Sequence, residues 1–313
     1  MSEPTVIVFA YRDIGHTCLE ALLVRGVRVV AVFTHSDDPD ENIWFPSVSA
    51  LADTHGIPVY KPDTTSTTEW IELLRSLSPD LIFSFYYRHL IAEDILNMAR
   101  LGAFNLHGSL LPRYRGRSPI NWAILNGESI TGVTLHHMVK KPDAGDIVDQ
   151  EPVTIGPLDS IADVSARILI AARKVLDRQI HSLLTGHAPR RPQDESKATS
   201  FSRRNQNDGR IDWSCSAHDI YNLIRAVTQP YPGAFTEVDG QRFIIWWASA
   251  RHEGKGEPGF VVDENPLLIS AGSGCLEVIR WQWPGEGISS QPDIHGLHIR
   301  QKLGTENHHV GQT

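Results

Sequence analysis

Cysteine is scarce in this chain. Cys18, Cys215 and Cys275 are odd in number, widely separated and without a CxxC pair among the 313 residues. That excludes a disulfide framework and suits a reducing compartment. Long apolar runs are missing too, since nothing approaches the ~20 residues that span a bilayer. The opening MSEPTVIVFA lacks the basic start and extended apolar stretch of a secretory signal, so a cytoplasmic protein without membrane insertion is expected. Positive charge is in deficit: 29 Lys and Arg face 37 Asp and Glu, a formal net charge of −8. A broad nucleic-acid footprint is normally basic, so no nucleic-acid partner is expected. The first strand is followed by YRDIGH rather than a glycine-rich dinucleotide fingerprint, so a nicotinamide or flavin cofactor has no support. Fifteen histidines show neither HExxH nor finger spacing. The pairs His136-His137 and His308-His309 are adjacent, and neighbouring side chains do not share a face, so no metal is expected.

Strands and helices alternate through the first half. Thr5–Ala10, Val27–Thr34, Ile57–Tyr60 and Leu81–Phe85 are short apolar runs. Between them, His16–Arg25, Ser47–His55, Thr68–Leu77 and Ala92–Ala99 carry helical spacing. That alternation predicts an α/β fold, a Rossmann-like and mostly parallel sheet with helices on both faces. A long helical pattern follows from Ile161 to Leu184, with Ser160 as its cap. Residues 188–207 are polar and rich in breakers, which predicts a linker open to proteases between a catalytic domain (1–187) and a second domain (208–303). The second domain has one helix, Ala217–Val227, and then short strands, including a hairpin of Phe235–Val238 and Arg242–Ala248 around Asp239-Gly240. That pattern predicts a small C-terminal β-barrel, OB-like, with a loose tail at 304–313.

Two segments carry polar residues suited to chemistry. In GAFNLHGSLLPRYRGRSPINW, Asn105 and His107 stand at i and i+2 at the end of a short strand, so they face the same way. The carboxyl ends of strands are where open α/β sheets bind ligands. An amide can steady an oxyanion there while an imidazole moves a proton. In GVTLHHMVKKPDAGD, Asp143 sits in a tight polar turn after the run Gly132–Val139, and a carboxylate beside an imidazole orients it. On spacing alone, Asn105 and His107 fit equally well as polar residues that satisfy loop backbone. Asp143 fits a turn-former better than a catalytic group. Arginines of the Arg113–Arg117 loop and Arg203-Arg204 are candidates for meeting anionic groups.

Asn105-Leu106-His107 followed by SLLP, with Asp143 inside GVTLHHMVKKPDAGDIV, resembles the two signatures of the folate-dependent formyltransferase family. The resemblance spans almost the whole chain. It implies 10-formyltetrahydrofolate as co-substrate, without a metal. Asn105 would hold the formyl oxyanion, His107 would handle protons, and Asp143 would orient His107 and tune its basicity. By the same resemblance, Arg117 and the turn Val139, Lys140, Lys141, Pro142 and Asp143 would contact the folate, and His89, Leu90 and Ile91 would line its pterin pocket. VIVFAYRDIG, AVFTHSDDP and LIFSFYYRHLI are similar to the branch represented by the formyltransferase half of a bifunctional polymyxin-resistance enzyme. That branch formylates UDP-4-amino-4-deoxy-L-arabinose in lipid A modification. The expectation is a stand-alone formyltransferase of a nucleotide-linked amino sugar, monomer or homodimer, with a separate decarboxylase in the same route. The alternatives are another nucleotide-sugar N-formyltransferase, a methionyl-tRNA formyltransferase, or a module that only binds folate or a nucleotide sugar. A proton shuttle would be superfluous in the last.

Overall fold

The computed structural model describes residues 3–37, 42–254, 256–291 and 297–304. Apart from Gly304, the expected tail lies outside them. The chain divides into two compact units. The first comprises Met1–Ile120, Ile130–Thr154 and Val164–Arg203; the second comprises Asn121–Ser129, Ile155–Asp163 and Arg204–Thr313.

Unit 1 is built on a seven-stranded sheet. In chain order its elements begin β1 (Val6–Ala10), α1 (Arg12–Val24), β2 (Val29–Phe33), α2 (Val48–Thr54), β3 (Val59–Tyr60) and α3 (Thr68–Ser76). Then come β4 (Leu81–Phe85), α4 (Glu93–Leu96), β5 (Gly102–His107) and the two-residue β6 (Arg115–Gly116). Next are α5 (Pro119–Leu125), which belongs to unit 2 from Asn121 on, β7 (Ile130–His137), β8 (Ile147–Thr154), α6 (Ile161–Leu184), in unit 1 from Val164 on, and β9 (Ser200–Phe201). The sheet order is β3-β2-β1-β4-β5-β7-β8. The first five strands pair in parallel and are apolar for most of their length, because helices cover both faces. Val6–Ala10 and Leu81–Phe85 are buried throughout, and Phe9, Phe33, Ile82 and Leu74 share one core cluster.

Three local features differ from the sequence reading. Helix α1 starts at Arg12, four residues before the expected His16, and runs through Gly15. The helix approaches β1 so closely at Gly15 that a Cβ would press on Ala10 at 3.2 Å. Strand β7 runs antiparallel to β5. Strand β8, not anticipated, pairs antiparallel to β7 and closes that edge of the sheet. Pro152 sits in β8, where an edge strand has no partner to miss its N–H.

Unit 2 holds α7 (Ala217–Val227), β10 (Ala234–Val238), β11 (Gln241–Arg251), β12 (Val261–Glu264), β13 (Leu267–Ser270) and β14 (Cys275–Gln282). The five strands form an antiparallel sheet ordered β10-β11-β14-β13-β12. It curls as a half-barrel, and register shifts between Ile245 and Ala248 where β11 meets β14 increase the local twist. The hairpin at Asp239-Gly240 has both residues at positive φ, 49° and 79°, as a tight two-residue turn requires. Helix α7 is capped by the Ser216 hydroxyl, which accepts from the Asp219 N–H, and buries Ile220, Ile224 and Val227.

Candidate active site

Register places the site residues inside the sheet, where pairing changes from parallel to antiparallel between β5 and β7. In the β5–β7 ladder Asn105 lies opposite His136, and His107 opposite Thr134. Asn105 and His107 therefore emerge on one face at the end of β5, as their spacing predicts. Asn105 is half-buried, and His107 is 6% exposed.

His107 is held at both ring nitrogens. Nε2 lies 2.8 Å from the Tyr114 carbonyl oxygen. A carbonyl only accepts, so Nε2 carries hydrogen. Nδ1 faces Asp143 Oδ1 at 3.6 Å. The other Asp143 oxygen, Oδ2, accepts the Gly116 N–H at 2.9 Å. Burial works to raise the Asp143 carboxyl. The charges that His107 and then His136 carry when protonated, with the Gly116 N–H and Arg115, outweigh it and hold the group below its ordinary value. Asp143 is thus an ionised carboxylate beside an imidazole.

The turns that deliver these groups adopt a conformation non-glycine residues seldom take. Tyr86, Tyr114, Ser118 and Asp143 all have φ between 52° and 59°, a concentration of backbone strain typical of functional sites. Two glycines are required beside them. A Cβ on Gly145 would collide with the His137 carbonyl, and one on Gly116, at φ 95°, would collide with the Phe201 carbonyl.

Most of the segment expected as a linker is a strap across the site. In unit 1 it pairs through β6 and β9, with Arg115 opposite Ser200 and Gly116 opposite Phe201. Gln193 Nε2 donates to the carbonyls of Asp143 and Gly145 at 2.8 and 2.7 Å. Its Oε1 accepts from Arg115 Nε and Nη2 at 3.2 and 2.7 Å. Glu195 pairs with Arg115 and, at 3.0 Å, with Lys141. The hydrogen bond from Arg115 and then that from Lys141 hold the Glu195 carboxyl down to about 2. Arg115, 4% exposed, is consumed by this network and is not a surface fork awaiting an anion. Neither Gln193 nor Glu195 was legible from sequence: a polar, breaker-rich stretch carries no signal of what it will cross.

The remaining expected folate contacts divide. Arg117 is exposed, and its Nη2 donates to the Arg88 carbonyl at 2.7 Å, tying its loop to the one after β4. His89 stacks on His35, which stacks in turn on Tyr87. The His35 ring accepts the Arg88 N–H at 3.0 Å, and burial, ahead of the charges of His89 and Arg88, lowers it to about 4, so it is neutral. Leu90 is 73% and Val139 46% exposed, two apolar side chains left in solvent. Ile91 packs into the core with Phe9 and Ile95 and so backs the loop without surfacing. Lys140 is exposed and lies 3.8 Å from Glu93, Lys141 is engaged by Glu195, and Pro142 is exposed. Arg204, in unit 2, lies over the Trp122 ring at 4.7 Å. Among the described residues no cluster of His, Cys, Asp and Glu could hold a metal, and no helix is long and apolar enough to cross a membrane.

An amide, an imidazole and an ionised carboxylate at one strand end form an arrangement for acyl-group transfer. Residues 5–180 match the family described as Formyl transferase, and residues 204–295 match its C-terminal domain. The chain therefore belongs to the formyl transferase family, and it is an enzyme of that class. Solved structures share the fold. WlaRD, a sugar 3N-formyl transferase crystallised with dTDP and 5-N-formyl-THF, superposes with a TM-score of 0.68 at 21% identity, over 92% of this chain and 100% of its own. An N-formyltransferase from Helicobacter canadensis, in complex with folinic acid and dTDP-3-aminofucose, gives 0.66 at 22%, over 88% and 99%. HypX from Aquifex aeolicus gives 0.63 at 19%, and this chain spans 90% of itself but only 45% of that protein.

Proposed function

We propose that this enzyme transfers the formyl group of 10-formyltetrahydrofolate to the amine of a nucleotide-linked amino sugar in the cytoplasm. The carrying observation is the convergence of Asn105, His107 and Asp143 at the end of β5, in a fold shared with a sugar N-formyltransferase over 92% of this chain. The exposed apolar side chains of Leu90 and Val139 suit a flat heteroaromatic ring such as the pterin. By this reading His89, Ile91, Arg117 and the Lys140–Pro142 turn would complete the folate contacts.

The reaction follows from the side chains. The neutral sugar amine attacks the formyl carbon, and the carbonyl oxygen takes on negative charge. An Asn105 N–H stabilises that oxygen, and a single donor of this kind is worth about 10²–10³ in rate. The new ammonium must lose a proton, and N10 of the departing folate must gain one. With its Nε2 hydrogen given to the Tyr114 carbonyl, His107 exchanges that proton at Nδ1, beside the Asp143 carboxylate that stabilises the charged ring. Asp143 itself stays ionised throughout.

As acceptor we propose UDP-4-amino-4-deoxy-L-arabinose, which would place the enzyme in lipid A modification and polymyxin resistance, with a separate decarboxylase supplying an oxidised precursor. The residues that support this are the runs LIFSFYYRHLI and NLHGSLLPRYRGRSPINW. An acidic net charge of −8 is unsuited to a tRNA footprint. The test offers UDP-linked and dTDP-linked amino sugars and methionyl-tRNA in parallel with 10-formyltetrahydrofolate, and follows tetrahydrofolate release. Faster turnover of the UDP-linked 4-amino sugar is expected. A preference for methionyl-tRNA would overturn the sugar assignment, and failure with every amine would overturn the whole reading.

A further inference from the structure

His136 and His137 are adjacent on β7, and alternation sends their side chains to opposite faces. His137 packs its ring against Phe104 and lies 3.0 Å from the Pro189 carbonyl, a structural position. His136 points the other way, toward the catalytic groups, and is 2% exposed. Nothing in the mechanism above uses it. Its Nδ1 is 2.8 Å from the His137 carbonyl oxygen, and its Nε2 is 3.0 Å from Asn105 Nδ2.

Those two distances define the ring. A carbonyl can only accept, so Nδ1 bears the hydrogen. Asp143 Oδ1, 3.7 Å from Nε2, favours a second proton there. Burial opposes it and is the larger influence, holding the ring at about 4 and therefore neutral. Nε2 is then a bare lone pair, which can only accept. The carboxamide nitrogen of Asn105 must face it. A half-turn of that carboxamide would set Oδ1 against the lone pair, two acceptors in contact.

We propose that His136 is a positioning residue for Asn105: its unprotonated Nε2 takes one carboxamide N–H and so fixes which end of that side chain is presented to the reacting carbonyl. The idea rests on the formyl-transfer reading above. One N–H is anchored, and the second stays aimed for the developing oxyanion without reorganisation at the moment of reaction, the condition under which such donors act most strongly. With the anchor removed, the carboxamide samples both orientations, and only one carries a donor to the right place.

The experiment measures steady-state transfer from 10-formyltetrahydrofolate to the best wild-type acceptor, using the full chain. It compares His136→Leu, His136→Gln, Asn105→Ala and the double variant Asn105→Ala/His136→Leu. His136→Leu is expected to lower kcat about ten- to a hundredfold, less than the ~10²–10³ of a lost donor, with KM for the folate changed by less than about threefold. Gln offers an acceptor oxygen at similar reach and should restore most of kcat. The double variant should be no slower than Asn105→Ala, because His136 acts only through Asn105. Wild-type kcat in His136→Leu, or losses that multiply in the double variant, would overturn the proposal. Nitrogen-15 NMR of the wild-type imidazole reads the tautomer whether or not any variant folds, and a hydrogen on Nε2 would overturn it as well. A wild type that shows the expected tautomer and binds folate, yet formylates no amine, would instead overturn the functional reading and this role with it.

Discussion

Truncating Gln193 should loosen the turn that carries Asp143, and its four hydrogen bonds set the scale. Nε2 ties the Asp143 and Gly145 carbonyls, and Oε1 accepts twice from the buried Arg115 guanidinium. Neutral hydrogen bonds contribute ~1 kcal/mol net and those to a charged group ~1.5–3. Gln193 is half-buried and Arg115 retains Glu195, so water and the remaining partner recover part of the loss. For Gln193→Ala we expect a stability loss of about 2–4 kcal/mol in unit 1. At ~2–4 °C per kcal/mol for a unit of this size, Tm should fall by about 5–15 °C. Gln193→Glu separates stability from positioning. A carboxylate accepts from Arg115 at least as well, but it cannot donate to the two carbonyls and sets negative charge against them. Its Tm should fall less than that of the alanine variant, while kcat/KM falls by about tenfold or more, ~1.4 kcal/mol of transition-state stabilisation. Calorimetry beside initial-rate assays reads both quantities. Full kcat/KM in Gln193→Glu, or an unchanged Tm in Gln193→Ala, would refute the reasoning.

His107→Ala and Asp143→Ala should each remain folded by circular dichroism and keep less than about a tenth of wild-type kcat/KM; more activity in either removes its assigned role. Acid should destabilise unit 1 through His136. Its folded value of about 4 lies below the ordinary 6.5, so the unfolded chain binds the extra proton first. Stability is lost as pH falls from about 6.5 toward 4, on the order of 3 kcal/mol in all. Urea unfolding at either end of that window should show a flatter response for His136→Gln than for wild type. The strap should resist trypsin at Arg190 and Lys197 in the native enzyme, because Arg191 exchanges main-chain hydrogen bonds with Ile147 and Ser200–Phe201 pairs with β6. Mass spectrometry that finds early cuts there in wild type, as the linker reading expects, would contradict the strap; Gln193→Ala should open it.

The parts of this protein decided by neighbours in sequence were readable from sequence. Short continuous apolar runs and helical stripes with their caps marked the α/β alternation of unit 1. The Asp239-Gly240 turn marked its hairpin, because backbone conformation responds to residues a few positions away. Asn105 and His107 were readable as a same-face pair at a strand end for the same reason. Asp143 was not. Its distance from His107 depends on β7 returning antiparallel beside β5, and locally it is only a turn residue, so family likeness alone singled it out. The tertiary structure decided the rest. Gln193 and Glu195 act on Arg115 from 78 and 80 positions away, and their own surroundings are indistinguishable from a linker. His136 became a partner of Asn105 only through strand register. Its protonation depends on burial, a property of the packed molecule that no stretch of sequence contains.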